Sequence, residues 1–179
     1  TLAFKDIALQ ILARLMEHSL CETGDKVTVF GATSGDTGAA AVSALQNRVG
    51  IEAYIFHPLG RISEVQRRQM TTCLSSNIHN IAIDGTFDDC QKLLKTLFKD
   101  TDIHDVLKPT TINSINWARV LSQVVYYIYS GLNLDAFKTS LTFIVPSGNF
   151  GNAFAGLVAN KIGFPINKFI VATNENDIL

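Results

Sequence analysis

Short β-branched runs alternate with helical stretches along the whole chain, and that alternation leaves little choice of architecture. Lys26–Gly31 (KVTVFG), Ile51–His57, Asn77–Asp84, Leu141–Pro146 and Lys168–Thr173 read as strands by length and β-branching. Between them, Gly35–Gln46, Ser63–Cys73, Phe87–Asp100, Ser114–Gly131 and Phe150–Ile162 read as helices, and Thr1–Leu20 reads as a helix before the first strand. Thr101–Pro109 is polar and reads as a short helix or loop. In the first helix Phe4, Ile7, Ala8, Ile11, Leu12 and Leu15 recur at helical spacing, with Asp6, Gln10, Arg14 and Glu17 on the other side. Strand–helix alternation requires crossover connections. The expected class is therefore α/β, three-layer αβα, with a mostly parallel twisted sheet.

Composition narrows the function classes. Fifteen Lys and Arg stand against 16 Asp and Glu, so no basic excess exists to bind nucleic acid. Polar residues interrupt every apolar stretch before a membrane-spanning length is reached. The three cysteines, Cys21, Cys73 and Cys90, never fall in a Cys-x-x-Cys arrangement, which fits a reducing, cytosolic setting without disulfides. The four histidines are scattered without metal-ligand spacing, so no metal is expected.

In parallel sheets, ligands collect at the carboxyl ends of strands, where loops lead into helix N-termini. Gly31-Ala-Thr-Ser-Gly-Asp-Thr-Gly38 and Pro146-Ser-Gly-Asn-Phe-Gly-Asn152 both occupy such places. Each joins glycines, which admit ligand atoms close to the backbone, to hydroxyl or amide side chains at a helix start rich in free N–H groups. That combination suits a phosphate or carboxylate. Taken singly, each reads more readily as an ordinary strand-to-helix turn; two at matching places weaken that reading. No Gly-Lys pair occurs, which excludes a Walker A loop, and neither turn contains Gly-x-Gly, which disfavours a dinucleotide.

Lys5 has Leu9, Leu12 and Met16 at i+4, i+7 and i+11, so it lies off the polar stripe. An amine in apolar surroundings loses its charge readily and becomes a nucleophile and base, although a helix-end lysine also snorkels. Asn113-Ser-Ile-Asn-Trp-Ala-Arg119 brings amides, a hydroxyl and a guanidinium to another helix start, and Arg119 suits bidentate phosphate binding. Trp117 reads as a core or lobe-contact residue, and Tyr126, Tyr127 and Tyr129 read as packing.

Four segments together carry a resemblance: Thr1-Leu-Ala-Phe-Lys-Asp6, Ala32-Thr-Ser-Gly-Asp-Thr-Gly38, Asn113-Ser-Ile-Asn116 and Pro146-Ser-Gly-Asn-Phe-Gly-Asn152. In order and spacing they resemble the threonine synthase family, which belongs to the fold-type-II pyridoxal-phosphate enzymes. The resemblance implies a Schiff base between Lys5 and pyridoxal 5'-phosphate, with Lys5 then acting as the shuttling base. It implies that Gly148, Asn149, Phe150, Gly151 and Asn152 cradle the cofactor phosphate. Thr33, Ser34, Asp36 and Thr37 would hold the substrate carboxylate and border the cofactor ring. Asn113, Ser114 and Arg119 would bind the phosphate of O-phospho-L-homoserine, the small-molecule substrate. The implied reaction is a β,γ-elimination and replacement that yields L-threonine. Residues 1–135 would form a first lobe and 140–179 the start of a second. The chain reads as a piece of a longer enzyme, so its expected partners include the N- and C-terminal segments of that enzyme. A phospholyase or serine/threonine dehydratase of the same fold shares these features. A non-catalytic anion-binding α/β domain is the alternative from another class.

Overall fold

The computed structural model describes residues 1–112, 116–148, 150–173 and 175. The chain divides into two compact units, Thr1–Asn113 and Ser114–Leu179.

The first unit runs α1 (Asp6–Thr23), β1 (Val27–Ala32), α2 (Asp36–Leu45), β2 (Ile51–Pro58), α3 (Glu64–Thr71), β3 (Ile78–Ile83), α4 (Phe87–Leu97), α5 (Thr101–Leu107) and β4 (Pro109–Thr111). Its sheet has the order β3-β2-β1-β4, parallel at each pairing. Successive strand residues point to opposite faces, and each face has its own cover. Phe30 and Phe56 pack with Cys90 of α4, and Phe30 also stacks on Tyr54. Val29, Ala53 and Ile55 point the other way and are fully buried, on the face where α2 meets β2. Helices α1 and α3 pack in turn against α2, whose alanines 39–41 leave room for close approach. Helices on both faces of a parallel sheet are the three-layer αβα arrangement expected from the alternation.

Local chemistry sets the element ends. Gly24 closes α1 in the left-handed region (φ 72°), its N–H bonding the Leu20 carbonyl. Thr86 and Asp89 form a reciprocal capping box that starts α4. Three features differ from the sequence reading. Strand β4 lies where only a polar loop was legible, because three residues beginning with proline are too short to show alternation. In α1 the buried stripe is Ala8, Leu9, Leu12 and Ala13, rotated from the predicted one, while Phe4, Ile7 and Leu15 are exposed. The unit boundary falls before α6 (Trp117–Asn133), whereas the sequence placed it near residue 135. Helix α6 joins the second unit because its apolar face packs there.

The second unit contains α6, β5 (Thr142–Pro146), α7 (Gly151–Lys161) and β6 (Lys168–Ala172), with β5 and β6 paired in parallel. Val120, Val124 and Tyr127 of α6 share a core with Val145, Ala155, Ala159 and Phe164. Close packing depends on Gly156, where a Cβ would stand 2.7 Å from the Tyr127 ring. Trp117 is mostly exposed, not core, and its ring meets Phe154 edge-on at 6.3 Å. Among the described residues no helix is long and apolar enough to cross a membrane, and no cluster of His, Cys, Asp and Glu could hold a metal ion.

Candidate functional site

Each unit contains a glycine-bearing strand-to-helix turn that is bonded to itself through side chains. In the first unit, β1 ends at Ala32 and α2 begins at Asp36. Thr33 is 2% exposed, and its hydroxyl accepts from the N–H of Gly35 (2.9 Å) and of Gly38 (2.8 Å). The same hydroxyl donates to the Gly35 carbonyl at 3.2 Å. Thr33 thus spends its side chain on the turn. Gly35 adopts φ 146°, a conformation that L side chains rarely take. Ser34 and Asp36 are exposed and Thr37 is half-buried. The Asp36 carboxylate accepts a hydrogen bond from the side-chain amide of Gln66 on α3.

Lys5 sits at the N-cap of α1, half-buried, with φ −78° and ψ −11°. The Asp6 N–H donates to the Ala3 carbonyl at 3.0 Å, and the Ala3 N–H donates to the Asp6 carboxylate at 3.1 Å. This closed turn leads Lys5 into the first turn of the helix.

In the second unit, the turn between β5 and α7 is likewise bonded to itself. Ser147 Oγ accepts from the Phe150 N–H (3.1 Å) and donates to Asn152 Oδ1 (2.5 Å). Asn152 Oδ1 also accepts from the Ala153 N–H at 2.9 Å, and Asn152 Nδ2 donates to the Pro146 carbonyl at 2.9 Å. The Asn152 side chain is therefore committed to the loop. Phe150, the N-cap, takes the left-handed conformation (φ 58°). The first four N–H groups of a helix have no acceptor within it. Those of Gly151 and Asn152 find none among the described residues. A Cβ added at Gly148 would meet nothing within 4 Å, so there is open space above the loop. Two free donors, a helix dipole and that space suit a small tetrahedral anion.

Arg119, in the first turn of α6, is 3% exposed. Its backbone N–H donates to the N-cap side chain of Asn116 at 3.2 Å, and its carbonyl accepts from Gln123 Nε2 at 2.9 Å. Burial lowers its pKa from the ordinary value, yet a guanidinium stays charged at neutral pH. Asn113, Ser114 and Asn149 lie outside the described residues.

Three contributors escaped the sequence reading. Gln66 reaches the first turn from α3, and Ser147 organises the second turn without being assigned a role. Tyr127 packs as expected, but its hydroxyl also donates to the Asn152 carbonyl at 2.7 Å and so fixes the first turn of α7. Burial pushes that phenol up to about 12. Only Ser-x-x-Gln at residues 63–66 carried a signal, and it reads as a helix cap.

Comparison with known proteins shows which family the chain resembles. A threonine synthase from Pseudomonas aeruginosa is 52% identical over 179 residues, covering 100% of this chain and 38% of its own length. The structure of the pyridoxal-phosphate-bound threonine synthase from Brucella melitensis superposes with a TM-score of 0.93 at 51% identity, over 99% of this chain and 38% of that one. The yeast threonine synthase structure superposes with a TM-score of 0.90 at 45% identity, over 99% and 36%. The chain thus spans well under half the length of the relatives it matches. The family model described as pyridoxal-phosphate dependent enzyme matches residues 1–179, and the chain belongs to that family.

Proposed function

We propose that the chain is the cofactor- and substrate-binding part of a threonine synthase, converting O-phospho-L-homoserine and water into L-threonine and phosphate in the cytoplasm. The observation that carries this reading is the self-bonded, open turn at the head of α7, in a chain with an amine at the head of α1. The free cysteines fit a reducing compartment.

The residues fit pyridoxal phosphate. The N–H groups of Gly151 and Asn152 would donate to its phosphate, and the open space at Gly148 would give that phosphate room. Bound pyridoxal phosphate supplies a conjugated ring that accepts the electron pair released at the substrate Cα. Lys5 would be the residue that holds the aldehyde end of the cofactor, and its amine would serve as the base for the substrate Cα and Cβ protons. In the overall conversion phosphate would leave Cγ, which gains a proton to become the methyl group, water would supply the Cβ hydroxyl, and Cα would regain its proton. The exposed Ser34 and half-buried Thr37, with the N–H groups at the head of α2, bind the substrate carboxylate, and Thr33 keeps that turn in shape. Arg119 supplies a fixed positive charge for the substrate phosphate, with Asn113 and Ser114 beside it in sequence. Holding the leaving group in line with the conjugated ring is what these phosphate contacts achieve.

The test uses the full-length protein. After incubation with pyridoxal phosphate, borohydride reduction and peptide mass mapping should place a pyridoxyl group on the peptide containing Lys5, and only there. A mass on another lysine, or none, overturns the role of Lys5. Product analysis with O-phosphohomoserine should then give threonine; 2-oxobutyrate in its place would assign a phospholyase.

A further inference from the structure

Gln66 stands three residues after Ser63, the N-cap of α3, and Ser63 accepts its backbone N–H. In a Ser-x-x-Gln capping box the glutamine side chain ordinarily turns back to the N-cap N–H. Here it turns away. Its Oε1 accepts from Ser63 Oγ at 2.8 Å, which fixes the amide, and its Nε2 donates to Asp36, thirty residues earlier in the chain. The amide also lies over Gly35, where a Cβ would stand 2.6 Å from Gln66 Cδ. Three residues further along the same helix, Gln69 Nε2 donates to the Thr1 carbonyl at 3.3 Å, in the segment leading to Lys5.

We propose that Gln66 is a positioning residue: it latches the Gly35–Asp36 turn onto α3, and this latch sets the affinity for the carboxylate of the amino-acid substrate. The inference rests on the proposal that the Thr33–Thr37 turn is the carboxylate site. Gly35 makes the latch possible, because any side chain there would occupy the place of the Gln66 amide. The same contact occupies the Asp36 carboxylate with a donor from α3. A hydrogen bond to a charged carboxylate is among the stronger ones, so its loss is measurable as a change in exchange rate.

The experiment compares Gln66→Ala, Gln66→Glu and Ser63→Ala with wild type in the full-length enzyme. The first readout is hydrogen exchange of the 34–38 amides in the cofactor-free protein, which needs no assumption about function. Gln66→Ala should speed exchange by about tenfold or more. Gln66→Glu should do at least as much, because it sets a second carboxylate against Asp36. Ser63→Ala should fall between these and wild type. The second readout is steady-state kinetics with O-phosphohomoserine: Gln66→Ala should raise KM by about tenfold while kcat changes less than about threefold. Unchanged exchange in both Gln66 variants overturns the latch. Faster exchange with unchanged KM leaves the latch standing and refutes the assignment of this turn to the carboxylate. An equal fall in kcat with KM unchanged also refutes that assignment.

Discussion

Replacing Thr33 by valine isolates the hydroxyl on which the first turn depends. Valine keeps the side-chain shape, including a γ-methyl against Gly38, and removes the acceptor of two N–H groups at 2.9 and 2.8 Å. Thr33, Gly35 and Gly38 are all buried, so water cannot readily take over as acceptor. A buried donor left without a partner costs about 1–3 kcal/mol, and two such donors cost about 2–6 kcal/mol. Native-state hydrogen exchange reads this cost locally, because opening of the turn is a sub-global event. At 1.36 kcal/mol per decade, exchange of the Gly35 and Gly38 amides should accelerate by about thirtyfold to somewhat over ten-thousandfold. Thr33→Ser is the matched control. It keeps the oxygen and loses one methyl, at about 0.8 kcal/mol, so exchange should rise by only about fourfold. Exchange in Thr33→Val within threefold of wild type would refute the reasoning. So would Thr33→Ser matching Thr33→Val, since packing of the methyl would then hold the turn.

Gly148→Ala should melt as wild type without cofactor and bind pyridoxal phosphate at least about tenfold more weakly, because the methyl enters the space assigned to the phosphate; unchanged affinity in a titration would remove Gly148 from the cradle. Gly156→Ala should instead lower stability by about 1–3 kcal/mol in urea unfolding, since its Cβ would stand 2.7 Å from the Tyr127 ring. In a spectroscopic titration Tyr127 should ionise near pH 12, above the ordinary value of 10. The phenol is released earlier in the unfolded chain, so its contribution is intact below pH 10 and is lost as pH rises towards 12; Tyr127→Phe should abolish that part of the slope. Glu64, held by Arg67 and Arg68, should titrate near pH 2, not at 4.5, when followed by carbon NMR. Its stabilisation is present above 4.5 and is lost as pH falls through about 2; a midpoint near 4.5 would show that the ion pairs do not persist in solution.

How legible the chain was depended on the length scale of each signal. The six longer helices and five of the strands were visible because periodicity accumulates over a run of residues. Strand β4 was not, because its place is decided by β1 pairing across the sheet and not by its own three residues. The buried stripe of α1 was misplaced for a related reason. Its sequence is apolar on two faces, and only the packing of α2 selects Leu9 and Ala13 over Phe4 and Ile7. The turns show a subtler limit. Composition marked both as candidate anion sites, but it could not say which atoms would face an anion. In each turn the hydroxyl and amide groups that look like ligands, Thr33 in one and Ser147 with Asn152 in the other, bond inward. This division has a physical cause. Backbone N–H groups bind an anion well only if they are held aimed before it arrives, and a short glycine-rich loop has no sheet or helix ladder to hold it. Side-chain acceptors supply the missing ladder. A motif such as Ser-Gly-Asn-Phe-Gly-Asn then marks what rigidifies the loop, and the donors proposed for an anion there are the backbone N–H groups of Gly151 and Asn152. Substitutions in such a turn should therefore impair binding through loop order before they remove a contact, which is why hydrogen exchange at the turn, and not kinetics alone, separates the two roles.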